Sequence, residues 1–193
     1  MKKIIALIVI NLCFSSLAHT EDHLYTKVLG GVNFLQTESN DGIKPEFHPG
    51  YIISGAFGYQ WCQGWHVEAE YAFRRNSMKK IHYYGQDFKI PGSFQSSSYM
   101  ANLLWSCFLG PATPFLGGGI GYDVQQFHAC QDGFKTHRNQ KGFAWQLMAG
   151  LNYPLFCCTE IALEYRVHKG PLNNIISYVI GVSFSYNFAW GVL

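Results

Sequence analysis

Five charged residues could carry chemistry because, in each of two segments, they are two or four positions apart. On a β-strand, residues with this spacing lie on the same face. Paired carboxylates can act as general acid and base, and alternating acids and bases could relay protons. The same spacing has a structural interpretation, since charges buried in a narrow interior must pair with one another. We predict a buried ion network that would block a continuous pore. Its members are Glu68, Glu70, Arg74, Glu164 and Arg166.

Three of the four glycines in the segment PFLGGGIGYDVQQF, residues 114–127, recur at every second position and suggest a nucleotide-binding loop. A dinucleotide fingerprint requires G-x-G-x-x-G, and a P-loop requires a Lys followed by Ser or Thr. The segment has neither pattern. Gly117, Gly119 and Gly121 instead repeat with a period of two, which is the period of a β-strand. We predict that they leave room for large side chains inside a crowded interior.

The first 18 residues have the features of a secretory signal peptide. Lys2 and Lys3 precede an uncharged apolar run, and Ser16-Leu17-Ala18 offers a small-x-small cleavage site. We expect cleavage after Ala18, which leaves residues 19–193 as one domain. Because two of the 14 basic residues are Lys2 and Lys3, the mature part has 12 basic and 12 acidic residues. This balance argues against nucleic acid as a partner.

Eight segments alternate large apolar residues with small or polar ones, the pattern of half-buried strands. The chain is 17% aromatic and 13% charged, yet after the signal peptide it has no run long enough for a membrane helix. Eight strands of about ten residues, joined by alternating short and long links, are typical of a small outer-membrane barrel. We predict an all-β, eight-stranded antiparallel up-and-down transmembrane β-barrel. The segments are 24–36, 51–61, 65–75, 98–109, 114–127, 143–153, 160–168 and 176–188.

Side-chain volume predicts which face of these strands points inward. Eight strands enclose a space that side chains just fill, so the many Trp, Tyr, Phe and Leu residues cannot fit inside. The face rich in glycine, serine and alanine can. A soluble barrel with an apolar interior is therefore disfavoured, and we expect the apolar face to contact lipid.

Several motifs resemble those of a known family: PFLGGGIGYD, FAWQ with AGLNY at 143–153, LEYR at 163–166, and GVSFSYNF at 181–188. Together they are similar to the eight-stranded outer-membrane barrel superfamily, in its opacity-type and surface-antigen branch. The resemblance implies a place in the cell outer membrane, contact with its lipid and lipopolysaccharide, and insertion by the outer-membrane assembly machinery. The last strand resembles the signal for that machinery, although the tail at 189–193 follows its final aromatic residue.

The histidines do not form the site that a lipid-modifying outer-membrane enzyme would need, which is a His and a Ser on the lipid-facing wall. His66 and His168 have inward parity, and the sequence contains no G-x-S-x-G elbow. We predict no enzyme activity, no cofactor and no metal site. The remaining histidines in the barrel part that we assign to loops are His48, His82, His128 and His137.

Two predicted outer loops, 77–96 and 127–141, carry six basic residues among aromatic ones and only two acidic residues. They could capture an anionic host glycan or protein, or neutralise lipopolysaccharide phosphates. We predict a non-enzymatic surface barrel, structural or antigenic, with adhesion through these loops. The alternatives are a narrow channel or carrier for small solutes and, more weakly, a lipid-modifying enzyme. The basic residues are Lys79, Lys80, Lys89, Lys135, Arg138 and Lys141.

Five cysteines remain after cleavage, in a compartment where disulfides are allowed. Cys62 and Cys107 fall at the ends of neighbouring strands, close enough for a disulfide, which requires Cα atoms within ~7 Å. Cys157 and Cys158 are adjacent, a strained geometry for mutual bonding, so we predict intermolecular bridges, either to other envelope proteins or to other copies of this chain. Cys130 alone is predicted in an outer loop.

Overall fold

The computed structural model describes residues 22–37, 43–61, 63–83, 86–88, 92–107, 112–131, 134–172 and 175–188. Every element in these ranges is a strand. The strands are β1 His23–Thr37, β2 Ile43–Phe47, β3 Gly50–Gln60, β4 Trp65–Tyr83, β5 Gln86–Phe88, β6 Gly92–Ser106, β7 Thr113–Gln131, β8 Phe134–Phe156, β9 Thr159–Lys169 and β10 Ile175–Phe188.

Eight of these strands form a closed antiparallel barrel, which confirms the predicted fold. The ring runs β1-β3-β4-β6-β7-β8-β9-β10, and β10 returns to β1 through a continuous register from Leu24↔Phe188 to Thr37↔Ile175. Closure leaves no edge with unpaired backbone groups, as a membrane interior requires. The short strands β2 and β5 are not members of the ring. Each pairs with the C-terminal part of β4.

The two ends of the barrel differ. Short turns join β3 to β4 and β8 to β9, and at this same end β1 begins and β10 finishes. In barrels of this type the short turns face the periplasm and the longer extensions face outside. We call the two ends periplasmic and outer accordingly.

The outer ends of the strands are longer than the sequence predicted. The prediction of loops at 77–96 and 127–141 is wrong, because strands occupy most of both ranges. His82, His128 and His137 consequently lie in strands. Beyond the membrane both faces of a hairpin meet water, so the apolar alternation ends although backbone pairing continues.

Large apolar side chains point outward from all eight barrel strands, which confirms the predicted orientation of the two faces. An outer aromatic row, formed by Tyr71, Tyr99, Tyr122 and Phe143, crosses four neighbouring strands as direct cross-strand partners. Four residues further out on each strand, the outward position is polar. These polar positions are Arg75, Gln95, Gln126 and Asn139.

At the periplasmic end, aromatic side chains again cluster on the exterior. Trp65 pairs directly with Trp105, and the rings of Tyr186 and Phe188 pack with centroids 5.2 Å apart. Aromatic girdles at both interfaces are a property of outer-membrane barrels. The exterior between the two rows is therefore the lipid-contacting wall.

Two inward glycines of β7 are required by close approach of the neighbouring strand. A Cβ at Gly119 would collide with the side-chain amide oxygen of Asn102, and one at Gly121 would collide with the backbone oxygen of Tyr99 and lie 2.8 Å from Met100 Sδ. The crowding comes from β6, the adjacent strand. The glycines thus let bulky β6 side chains fill the lumen.

Candidate functional site in the polar lumen and at the outer rim

Arg166 lies at the centre of the lumen and contacts two carboxylates. It is fully buried, on β9, and its Nη1 pairs with Glu70 on β4, the strand directly across the ring. Its Nε and Nη2 donate to Glu164 Oε2 at 2.9 and 2.7 Å. Charge-assisted bonds of this kind are stronger than neutral ones, so one guanidinium links opposite walls of the barrel.

Lys27 on β1 joins this cluster, although the sequence analysis did not include it. Its Nζ pairs with Glu68 and lies 3.7 Å from Glu164 Oε1. The sequence did contain a signal for this position. Lys27 precedes the outward-facing Val28 and therefore points inward, and a lysine buried in a barrel interior must pair with a carboxylate. The lumen cluster, as we name it, is Lys27, Glu68, Glu70, Glu164 and Arg166.

Neutral side chains satisfy the remaining oxygens of the lumen cluster. Asn102 Nδ2 and Gln146 Nε2 each donate to Glu70 Oε2 at 2.8 Å. Ser183 Oγ donates to Glu164 Oε1 at 2.6 Å, and Tyr25 donates from its hydroxyl to Glu68 Oε1 at 2.8 Å. Buried polar groups are stable when paired in this way, so the interior is a packed hydrogen-bonded core.

Arg74, the fifth residue predicted for the network, stands apart from it. It is 1% exposed, and its Nη1 donates to Ser98 Oγ at 2.7 Å. Its Nε and Nη2 have no hydrogen-bond partner among the described residues, where it also makes no ion pair. Arg74 lies at a different level along the barrel axis from Arg166 and Glu164. The alternation of faces places a side chain in the interior, but it does not give this level.

A second polar group, centred on Asp123 of β7, lies in the outer half of the lumen. Asp123 accepts hydrogen bonds from Ser96 Oγ at 2.8 Å and from Gln125 Nε2 at 2.9 Å. His168 Nε2 lies 3.1 Å from its Oδ2. Asp123 and His168 have inward parity in the sequence, yet their contact depends on the register of β7, β8 and β9.

His66 and Ser106 are hydrogen-bonded to each other in the lumen, with Nε2 and Oγ 2.8 Å apart. Both are buried at the periplasmic end, inside the barrel rather than on the lipid-facing wall. The adjoining cavity, lined in part by Lys27 and Glu68, has a volume of about 20 Å³. Such a space holds roughly one or two water molecules, which is too little for a lipid substrate.

Three phenylalanines occupy the outer end of the lumen. Phe47 of β2 packs edge-on against Phe94 and Phe127, with ring centroids 6.0 and 6.5 Å apart. Phe94 is 1% exposed. Edge-to-face packing of this kind is favourable beyond simple area burial, so β2 holds an aromatic cluster over the polar interior.

The basic residues predicted for outer loops lie on strand extensions, which corrects that prediction. Lys79 and Lys80 are on β4, and Lys135, Arg138 and Lys141 are on β8, because both hairpins continue beyond the lipid. Lys89 lies outside the described residues. Lys79 and Lys80 share one carboxylate, Glu46, each at 3.8 Å.

The cysteines fall at both ends of the barrel. Cys107, buried just after β6, is disulfide-bonded, whereas its predicted partner Cys62 lies outside the described residues. Cys157 and Cys158 form the turn between β8 and β9 and are free thiols. Cys130 belongs to β7 rather than to a loop, for the same reason as the basic residues.

The described residues contain no group of three or more His, Cys, Asp or Glu side chains placed to hold a metal ion. They also contain no helix of the length and hydropathy needed to cross a membrane.

A closed barrel with an apolar exterior, aromatic rows at both interfaces and a packed polar interior defines an integral outer-membrane protein. Residues 4–188 match the family model for the outer membrane protein beta-barrel domain. The chain belongs to this family, and its location is the outer membrane. No curated protein matches the sequence.

Solved structures of outer-membrane barrels share the fold. Neisserial surface protein A is similar with a TM-score of 0.61 and 14% identity, over 88% of this chain and 100% of that one. Ail, the attachment invasion locus protein of Yersinia pestis in complex with the heparin analogue sucrose octasulfate, is similar with a TM-score of 0.57 and 16% identity, over 88% and 100%. OprG from Pseudomonas aeruginosa has a TM-score of 0.55 and 16% identity, over 89% and 98%. At these identities the likeness concerns the fold.

Proposed function

We propose that this protein is a non-enzymatic surface barrel whose outer rim binds anionic groups. The outer rim comprises the exposed basic side chains beyond the outer aromatic row: Arg75 and Lys79 on β4 and Lys141 on β8. The ligand chemistry is a sulfate, phosphate or carboxylate on a sugar. Its source is either a host glycan or the lipopolysaccharide of the same membrane.

A positive excess at the outer hairpins carries this proposal. Residues 77–96 and 127–141 hold six basic residues and two acidic ones, so even with Glu46, which lies 3.8 Å from both Lys79 and Lys80, basic residues outnumber acidic ones there. The Lys79 side chain is 52% exposed, and ion pairs in that environment contribute little to stability. Exposed cations with weak internal partners remain available to an external anion.

Similarity of fold adds support. Ail was crystallised with a sulfated sugar, and its barrel superimposes on most of this chain. A barrel of this fold can therefore bind a sulfated sugar.

The lumen favours a surface role over a channel. Arg166 and Glu70 meet across the axis, and Phe47, Phe94 and Phe127 occupy the outer end. A solute would have to separate this buried ion pair. That would leave uncompensated charges in the lumen, at a cost of about 3–5 kcal/mol. Purified protein in planar bilayers should therefore give no stable single-channel steps, and discrete steps abolished by neutral substitutions in the lumen cluster would support the channel instead.

Binding of heparin and of lipopolysaccharide tests the surface proposal. Cells that display the Lys79→Gln, Lys141→Gln double variant should bind less heparin than wild-type cells, or the purified variant should retain less lipopolysaccharide. The matched control is Asn139→Ala, an exposed change at the same rim that leaves the charge unchanged. Loss of heparin binding alone identifies a host glycan, and loss of lipopolysaccharide alone identifies the membrane's own lipid. Unchanged binding of both would refute the proposal.

A further inference from the structure

The turn between β8 and β9 presents two adjacent thiols at the periplasmic end. Cys157 is exposed and Cys158 is half-buried, and both are free. Phe156 and Thr159, on either side of this turn, are the last paired residues of β8 and β9. The Asn187 backbone N–H donates to the Cys158 carbonyl at 2.8 Å, so the last strand of the barrel holds the turn in place.

These two thiols do not suit a bond with each other. Adjacent Cα atoms are about 3.8 Å apart across a trans peptide, which is below the range of roughly 4.4–6.8 Å for disulfides. At the same end of the barrel, Cys107 is disulfide-bonded. An exposed thiol in an oxidising compartment is expected to find a partner outside its own chain.

We propose that Cys157 forms an intermolecular disulfide with Cys157 of a second copy of this chain. Barrels in one membrane have the same depth and the same direction, so equivalent residues of two copies meet at one height. A two-fold axis along the membrane normal brings identical surface residues together. Leu155 and Phe156, which are 44% and 78% exposed beside the turn, supply an apolar contact around that axis.

The bond forms by thiol–disulfide exchange with a periplasmic protein disulfide, which is the oxidant. The Cys157 thiolate attacks one sulfur of that disulfide, and the other sulfur leaves as a thiolate. Cys157 of the second copy then attacks the Cys157 sulfur of the mixed disulfide and releases the second oxidant sulfur. One disulfide is formed, one is reduced to a dithiol, and the two leaving thiolates take up the protons that the two Cys157 thiols lose.

Two differently tagged copies expressed in the same cells test this inference. Free thiols are blocked with N-ethylmaleimide before lysis, and boiled samples are separated without reductant. A band at twice the monomer mass, carrying both tags and lost on reduction, is expected. Cys157→Ser should abolish it, whereas Cys158→Ser should leave it.

A thiol on the opposite wall provides the matched control. Gln63, exposed in the turn between β3 and β4, lies across the ring from the β8–β9 turn. The Cys157→Ser, Cys158→Ser, Gln63→Cys variant should give no dimer band. An equal band from this variant would mean random collision and would overturn the proposal. So would retention of the band in Cys157→Ser, or a wild-type cross-link of any other mass that carries only one tag.

Discussion

Replacing Arg166 by Ala should destabilise the barrel strongly, because it removes the cation that two buried carboxylates share. Loss of one partner of a buried ion pair costs about 3–5 kcal/mol. Lys27 still lies 3.7 Å from Glu164, and two amides still donate to Glu70, so the single-pair figure applies rather than twice that value. Arg75→Ala, at an exposed position of β4, should change stability by no more than about 0.5 kcal/mol.

Urea unfolding, followed by the fluorescence of the five tryptophans, measures the difference. With a slope of about 2 kcal/mol per molar urea, a loss of about 4 kcal/mol lowers the unfolding midpoint by roughly 2 M. The protein is held in the same detergent for all variants. Arg75→Ala and the wild type should share one midpoint.

Two further variants separate charge from packing. Adding Glu70→Gln and Glu164→Gln to Arg166→Met should recover much of the lost stability, since the only charges then left in the lumen cluster are the paired Lys27 and Glu68. Arg74→Met should cost less than Arg166→Met, because Arg74 makes no ion pair with a described residue. Equal midpoints for Arg166→Ala and Arg75→Ala would refute the assignment of Arg166 to a stabilising ion network.

Two other predictions follow from closure and from packing. Unboiled protein should migrate differently from boiled protein in a denaturing gel, because a closed backbone ladder resists detergent; identical migration with a helical circular dichroism spectrum would contradict the barrel. Gly121→Ala should lower the free energy of unfolding by about 1–3 kcal/mol through overpacking, whereas Gly118→Ala, whose Cβ would meet only ordinary contacts from 3.4 Å, should be nearly neutral. Equal stability of the two glycine variants would show that β6 yields to the added methyl group.

Part of the lumen was predictable from parity. A period of two assigns each residue to one face, so the inward positions of Glu68, Glu70, Glu164 and Arg166 follow directly from the alternation. Parity does not assign height along the barrel axis. Arg74 shares the parity of Glu70, yet it forms no ion pair with the two carboxylates that Arg166 binds, Glu70 and Glu164.

The outer extensions were not predictable for a different reason. Alternation is a signal of the membrane, because lipid on one face and a lumen on the other demand opposite side chains. Past Arg75 and Lys141 that demand ends, while the backbone pairing of β4 with β6 and of β7 with β8 continues. The sequence of these extensions therefore resembles that of a loop, although the backbone is still in a β-strand.

The sequence by itself determined the eight barrel strands, their two faces and therefore the kind of membrane structure, because each follows from local periodicity and composition. Only the tertiary structure decided which inward residues meet. Contacts such as Arg166 with Glu70 join strands that are opposite in the ring. They depend on the register of every intervening pair, since a shift of two residues in any one of them would move the partners to different heights.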